Sequence, residues 1–241
     1  MPSYFSYFNQ RGYDFGDSIV KDVTNISKYT AIFSEIADNV SFYSYYTMQP
    51  GRRLDTISEE LYGTPEFYWT IFLINSSIIN VWKDLPLSNT SFKAYLSKKY
   101  PGVAFPIRDD QTLAGKFDIS ETVSFNSTNK ATVTGIYPTA GYLTGTVTDG
   151  AFPINTEMTL TGEDSGDTVV VNNRIPVPEA PHHHVDSDGN RVPFNSGAVT
   201  PVSIRQVEFE ANEAEAQIKV IRPEFIYDVS ARFENEMATR R

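Results

Sequence analysis

The chain has 241 residues, 30 acidic against 20 basic side chains, a net charge of −10 and 40% hydrophobic content. The apolar fraction suffices for one large or two small cores, and the negative balance opposes binding to phosphate backbones or anionic membranes. Cysteine is absent, which excludes a disulfide framework and fits assembly in a reducing cytoplasm.

Residues 2–17 intersperse Tyr4, Phe5, Tyr7, Phe8, Tyr13 and Phe15 with Ser, Asn, Gly and Asp, a pattern too glycine-punctuated for a helix. An extended arm is expected, mobile alone and ordered by partners whose pockets its aromatics fill. Ile26, Tyr29, Ile32, Phe33 and Ile36 fall at helical spacing, which predicts an amphipathic helix from Thr24 to Ala37. Phe42 to Met48 is aromatic and β-branched and ends at Gln49-Pro50-Gly51, so it reads as a strand running into a tight turn.

Leu54, Ile57, Leu61 and Tyr62 then define a helix that Gly63 can stop in the left-handed conformation. A second helix follows at once. Thr64 is placed to cap it, Pro65 sits where a missing N–H costs nothing, and Glu66 meets the positive end of the dipole. Phe67, Tyr68, Trp69, Ile71, Phe72, Leu73 and Ile74 make this helix apolar on all sides. It must therefore be covered all round, either by the rest of the chain or by a protein partner.

Phe92, Tyr95 and Leu96 place a further helix over Ser91 to Lys99, ended by Pro101-Gly102. From Lys116 the character changes to short β-type runs, Ala131 to Ile136, Tyr142 to Val147, Met158 to Leu160 and Thr168 to Val171, with turn residues between them. These predict a small all-β unit. The proline-rich stretch from 174 to 203 reads as an irregular connector. At the far end Pro223 opens a helix with Ile226, Val229, Phe233 and Met237 as its buried stripe.

Candidate chemistry is sparse. His182, His183 and His184 precede Asp186 and Asp188, yet a structural metal site wants a third and fourth ligand in fixed geometry, so exposed loop histidines and no metal are expected. Asp186, Asp188 and Asn190 resemble a calcium loop, but the glycine is misplaced and no glutamate follows at the required distance. A turn explains them. No nucleophile–histidine arrangement, zinc-hydrolase string or phosphate loop occurs, and the carboxylate pairs Glu59-Glu60 and Asp109-Asp110 read as solvated surface. No catalytic residue and no cofactor are therefore expected. Arg52-Arg53, Lys98-Lys99 and Arg240-Arg241 are isolated pairs rather than a nucleic-acid track. Neither a leader nor an apolar run of about 18 residues is present, so no membrane insertion is expected.

The succession strand, Pro-Gly turn, helix, Gly, helix, Asn resembles a LysM domain, with Tyr46, Pro50, Gly51, Leu54, Ile57, Tyr62, Gly63 and Asn75 as the matching residues. Arg52-Arg53 departs from it, because a LysM repeat has Asp-Thr there to cap the first helix and frame a sugar-binding groove. The cap must shift to Asp55 or be absent, and two long cations at the groove mouth argue against sugar binding. The resemblance also implies a second strand that pairs with Phe42 to Met48, and Gln217 to Pro223 has the required form. The fold expected is thus α+β: an N-terminal arm and helix (1–41) and a split LysM-like β-α-α-β core (42–83 and 216–223). A helical connector (84–115), an inserted all-β unit (116–173), an irregular connector (174–215) and a C-terminal helix (224–241) complete it.

Taken with the opening PSYFSYFNQRGYDFGD, the ELYGTPEFYW block and the closing NEAEAQIKVIRP, the chain resembles the LysM-containing baseplate wedge protein of T-even-like contractile-tailed bacteriophages. That resemblance implies a non-enzymatic virion protein of the tail baseplate, assembled in the host cytoplasm. Its implied partners are other wedge proteins, the sheath-initiator protein and neighbouring wedge copies. Candidate contact residues are Tyr4, Phe5, Tyr7, Phe8, Arg52, Arg53, Phe67, Tyr68, Trp69 and Phe72. The alternative is a peptidoglycan-binding module of a virion-associated cell-wall hydrolase.

Overall fold

The computed structural model describes residues 4–16, 19–26, 32–80 and 84–238. After a 3-10 turn at Tyr4–Tyr7 come β1 (Gln10–Asp14), β2 (Val20–Thr24), α1 (Ile32–Ala37) and β3 (Tyr43–Thr47). Then follow α2 (Leu54–Tyr62), a 3-10 turn at Pro65–Phe67, α3 (Tyr68–Ile74) and α4 (Asn89–Lys99). The middle of the chain is β4 (Val103–Pro106), β5 (Thr122–Phe125), β6 (Asn129–Tyr137), β7 (Tyr142–Asp149), β8 (Met158–Gly162) and β9 (Thr168–Val171). It continues through β10 (Ile175–Pro176), β11 (Pro181–Val185), β12 (Arg191–Val192) and β13 (Thr200–Ser203). Last come α5 (Ile204–Ala214), β14 (Gln217–Ile221) and α6 (Ile226–Ala238). The fold is mixed α+β. It divides into two compact units, one made of residues 1–88 with 212–241 and one of residues 89–211.

In the first unit β14 pairs antiparallel with β3, in a register that sets Gln217 opposite Thr47 and Ile221 opposite Tyr43. This is the pairing expected for Gln217 to Pro223. Helix α2 ends where Gly63 adopts φ 72° and its N–H donates to the Glu59 carbonyl, a conformation that costs glycine least. Thr64 Oγ1 accepts from the Glu66 N–H at 3.4 Å. Ser58 supports the same corner: its hydroxyl donates to the Thr64 carbonyl at 2.7 Å and accepts from the Phe67 N–H at 3.2 Å. Helix α3 is then enclosed from two sides. Trp69 and Ile74 join Ile32, Phe33, Ile221, Ile226 and Phe233 in one cluster, and Ile71 joins Met48, Leu54, Ile57, Ile218 and Val220 in the other. The stripe expected for α6, Ile226, Val229, Phe233 and Met237, is buried.

The N-terminal segment departs from an extended arm. Tyr4 to Tyr7 coil into a 3-10 turn, Phe8 is buried, and residues 10–14 pair with 20–24 as a hairpin. Gly12 lies inside that hairpin because a side chain there would meet Val20 at 2.7 Å, a close cross-strand approach rather than a turn. Of the helix expected from Thr24 to Ala37, Ile32–Ala37 is helical, whereas Thr24 closes a strand and Ile26 is exposed. Tyr29 lies outside the described residues.

In the second unit the β-rich region is larger than residues 116–173. Its seven strands run in the order β10-β4-β7-β6-β5-β8-β9, with every neighbouring pair antiparallel. β4 falls in the span read as a helical connector (84–115). Ile107, just beyond β4, bridges Val171 of β9, so the sheet curls toward closure around Phe105, Val123, Leu143, Leu160 and Val169. The span 174–215 is likewise not irregular. It holds a three-stranded sheet in the order β12-β11-β13, and α5. Proline is compatible with these strands because Pro181 opens β11 and Pro201 lies on the edge strand β13, positions where no ladder donor is missed.

Candidate interaction surface

The aromatic residues of the contact candidates are largely brought together, but inward. The Trp69 ring lies 4.7 Å from Phe233, Tyr4 stacks on Phe233 at 5.7 Å, and Tyr7 and Phe33 approach Trp69 at 5.7 and 5.8 Å. Phe8 meets Phe233 at 6.1 Å, and Phe67 packs edge-on against Tyr62. Tyr4, Tyr7, Phe8, Phe67 and Trp69 therefore form the unit's own core, and the chain itself supplies much of the cover that α3 requires. Tyr68 and Phe72 are half-buried against the second cluster. Phe5 alone of the N-terminal candidates keeps about half its surface exposed, at 51%. The Trp69 Nε1 is buried with no hydrogen-bond partner among the described residues.

The two arginines stand at the start of α2. Arg53 occupies the cap position in extended conformation with no capping side chain, so the cap is absent rather than moved to Asp55. Its guanidinium instead grips Asp55 through Nε at 3.0 Å and Nη2 at 2.7 Å. That side-chain bond, the largest cause, holds the Asp55 carboxyl below the usual carboxylate range. Arg52 makes a different connection. Its Nη1 donates to the Tyr46 hydroxyl at 3.2 Å and its Nη2 pairs with Glu60 at 2.9 Å, while Tyr46 donates to the same carboxylate at 3.2 Å. The triangle links β3 to α2 across the intervening turn. Arg53 remains the presented cation, with its side chain 81% exposed.

A cavity of about 290 Å³ lies elsewhere in this unit, lined by residues such as Asn75, Ile78, Asp84, Glu215 and Gln217. Asn75 serves the sheet there: its Nδ2 donates to the Lys219 carbonyl and its Oδ1 accepts the Lys219 N–H, each at 2.8 Å. The matching Asn of the sequence pattern thus closes the outer edge of β14. Tyr62 does the same at Ile221, donating to its carbonyl at 2.9 Å; burial pushes the Tyr62 hydroxyl pKa up.

In the second unit a groove of about 340 Å³ is lined by Phe92, Lys93, Arg205, Gln206 and Phe209 among others. Glu208 ties α4 to α5, accepting from Lys99 Nζ at 2.8 Å, Tyr95 at 2.9 Å and Tyr100 at 2.5 Å. Burial raises the Glu208 pKa, but these donors outweigh it and the net shift is downward. Helix α5, and with it this network, escaped sequence reading because the proline-rich stretch before it masked its start. The histidines lie on β11, not in a loop. A register shift between Pro181 and His183 lets His182 and His183 bring their Nδ1 atoms within 2.9 Å, whereas His184 is buried. Among the described residues no group of three or more His, Asp or Glu is arranged to hold a metal. Asp186 accepts from the N–H groups of Asp188 and Asn190, each at 2.9 Å, which makes the run a turn.

Sequence reading also missed the β1–β2 hairpin, whose signal was the alternation of QRGYD and VKDVT about the glycine. Its register sets Arg11, Tyr13, Lys21 and Val23 on one face and Asp14 and Asp22 on the other. Tyr13 and Phe15, stacked edge-on at 4.9 Å, remain more than half exposed. Among the described residues no helix is long and apolar enough to cross a membrane. No protein-family model matches this chain, and no curated protein matches it.

Proposed function

We propose that the chain is a non-enzymatic structural component of a contractile-tail baseplate wedge. In this reading a LysM-like split core serves protein contacts that join neighbouring wedges into a ring around the hub. The observation that carries the reading is the order β3, turn, α2, α3, with β14 returning from beyond residues 89–211 to pair with β3. A strand-helix-helix-strand succession of this kind supports the reading. Supporting it, exposed aromatic side chains on the hairpin and the presented Arg53 offer the mixture of apolar and cationic groups that protein interfaces favour.

The alternative, a peptidoglycan-binding module, draws on the same succession. It is disfavoured by the start of α2, where Arg52 and Arg53 are each engaged with a carboxylate and present no short polar group for a sugar hydroxyl. The test is paired. Tagged chain expressed during infection by a contractile-tailed phage should co-purify with assembled baseplates, and the isolated chain should not sediment with peptidoglycan or bind chitin oligosaccharides by calorimetry. Micromolar sugar binding together with absence from baseplates would replace the structural reading with the alternative.

A further inference from the structure

β3 and β14 form a two-stranded sheet whose two outer edges are treated differently. The Met48 N–H donates to the Ala216 carbonyl at 2.7 Å and the Arg222 N–H to the Phe42 carbonyl at 2.9 Å, which fixes the phase of the ladder. In an antiparallel pair inward and outward backbone groups alternate, so Tyr43, Tyr45 and Thr47 turn their N–H and C=O groups away from β14. On β14 the outward groups are closed by Asn75 at Lys219 and by Tyr62 at Ile221. On β3 the Tyr43 carbonyl accepts Arg222 Nε at 3.1 Å. Among the described residues no hydrogen bond reaches the outward backbone of Tyr45 or Thr47. Tyr45 is 58% exposed, and Thr47 is exposed beside it.

Edge strands are normally blunted by charge, proline or a bulge. The sequence of β3, Tyr-Ser-Tyr-Tyr-Thr, has none of the three, and its register with β14 is uninterrupted. We infer that the open edge of β3 is a self-association site, at which a second copy of this chain adds its own β3 antiparallel about a two-fold axis through Tyr45. The edge is self-complementary in that register. Tyr45 exchanges its N–H and C=O with Tyr45 of the second copy, and Tyr43 stands opposite Thr47, its N–H meeting the Thr47 carbonyl while its own carbonyl keeps Arg222 Nε, aromatic against β-branched as cross-strand pairs prefer. Charge singles out the same strip. A chain of net charge −10 repels its own copy, and a five-residue edge with no acidic side chain, flanked by Lys219 over the Tyr43 ring at 4.6 Å and Arg222 on the Tyr43 carbonyl, is where two copies meet least of that negative charge. The ladder is short, so the dimer is weak and reversible, and it tightens with salt as the long-range repulsion is screened.

The inference concerns the isolated chain and does not rest on the baseplate reading. Sedimentation equilibrium of the full chain should show a monomer–dimer equilibrium that shifts toward dimer between low salt and about 0.5 M salt, where screening acts within a few ångströms. Tyr45→Pro removes an outward N–H but no bond to β14, so it should retain the wild-type circular dichroism and sediment as monomer throughout. Because the chain has no cysteine, Tyr45→Cys provides a second measurement. Directly opposed residues have Cα atoms about 5.5 Å apart, within disulfide range, so mild oxidation should give a covalent dimer. Tyr227→Cys, on α6 and at 65% no less exposed, should stay monomeric. A wild-type chain that remains monomeric at every concentration and salt, unchanged association of Tyr45→Pro, or equal cross-linking of the two cysteine variants would overturn the inference.

Discussion

Asn212 holds Leu87 across a sequence separation of 125 residues: the Leu87 N–H donates to Asn212 Oδ1 at 2.7 Å, and Asn212 Nδ2 donates back to the Leu87 carbonyl at 3.4 Å. The amide is buried, at 7% exposure, and it joins the two places where the chain leaves and re-enters the first unit. A reciprocal pair at that point makes the intervening segment a closed excursion. Replacing residues 89–211 by a short Gly/Ser linker should therefore leave a folded first unit. Closing a loop of a few residues in place of about 120 should favour it by about 2–3 kcal/mol. Loss of the native circular dichroism and of a cooperative melt on excision would contradict this. In the intact chain, Asn212→Ala should cost about 1–3 kcal/mol through the buried groups it strands, measured by urea unfolding.

The N-terminal aromatic segment should behave as core. Removing residues up to Phe8 uncovers Trp69 and Phe233, so the melting temperature should fall, with a loss of about 2–3 kcal/mol for the buried Phe8 ring alone. Trp69→Ala should cost about 3–5 kcal/mol. Truncated chain with unchanged stability would show that the packing seen at Tyr4 and Phe8 is dispensable.

The Arg52 triangle makes the opposite prediction. Its carboxylate partner is half exposed, at 47%, and exposed ion pairs contribute under about 1 kcal/mol. Arg52→Ala should thus leave the urea midpoint almost unmoved, and raising the salt concentration should shrink the difference further. A loss of several kcal/mol would mean that the triangle is structural rather than a surface feature.

Glu121 should contribute, with Glu208, to the acid sensitivity of the second unit. It is 4% exposed and accepts from the Ser165 N–H at 2.8 Å, the Ser165 hydroxyl at 2.6 Å and the Asp118 N–H at 3.0 Å. Burial pushes its pKa up, but the hydrogen bonds from Ser165 and Asp118 outweigh that and the net shift is downward. A carboxyl whose folded-state pKa lies below its unfolded one contributes stability that is fully present above the ordinary carboxylate value of about 4.3 and is lost as pH falls through the lower folded-state value. Glu121→Gln should lower stability at neutral pH by about 1–3 kcal/mol and flatten the fall of the stability profile on the acid side of the ordinary carboxylate range. Parallel profiles for the two proteins would exclude this role.

Local sequence determined the elements whose signals need no distant partner. The α2 boundaries follow from Leu54, Ile57 and Tyr62 with Gly63 free to turn left-handed, and α6 follows from Pro223 and its four-residue stripe. The β3–β14 pairing was legible only through a resemblance that implies a second strand, for which Gln217 to Pro223 has the form. Tertiary structure decided the rest wherever one local pattern fits two environments. The aromatics of Tyr4 to Phe8 suit a partner pocket and an internal core equally well, and only the adjacency of Trp69 and Phe233 selects the core. Val103 to Pro106 is too short to declare itself a strand, and it becomes one because β7 and β10 supply its hydrogen bonds. The prolines of residues 174–203 argue against regular structure until edge and terminal positions, visible only in the sheet, remove the penalty. The open backbone of Tyr45 belongs to the same class, since a strand's sequence carries no mark of which edge is left unpaired.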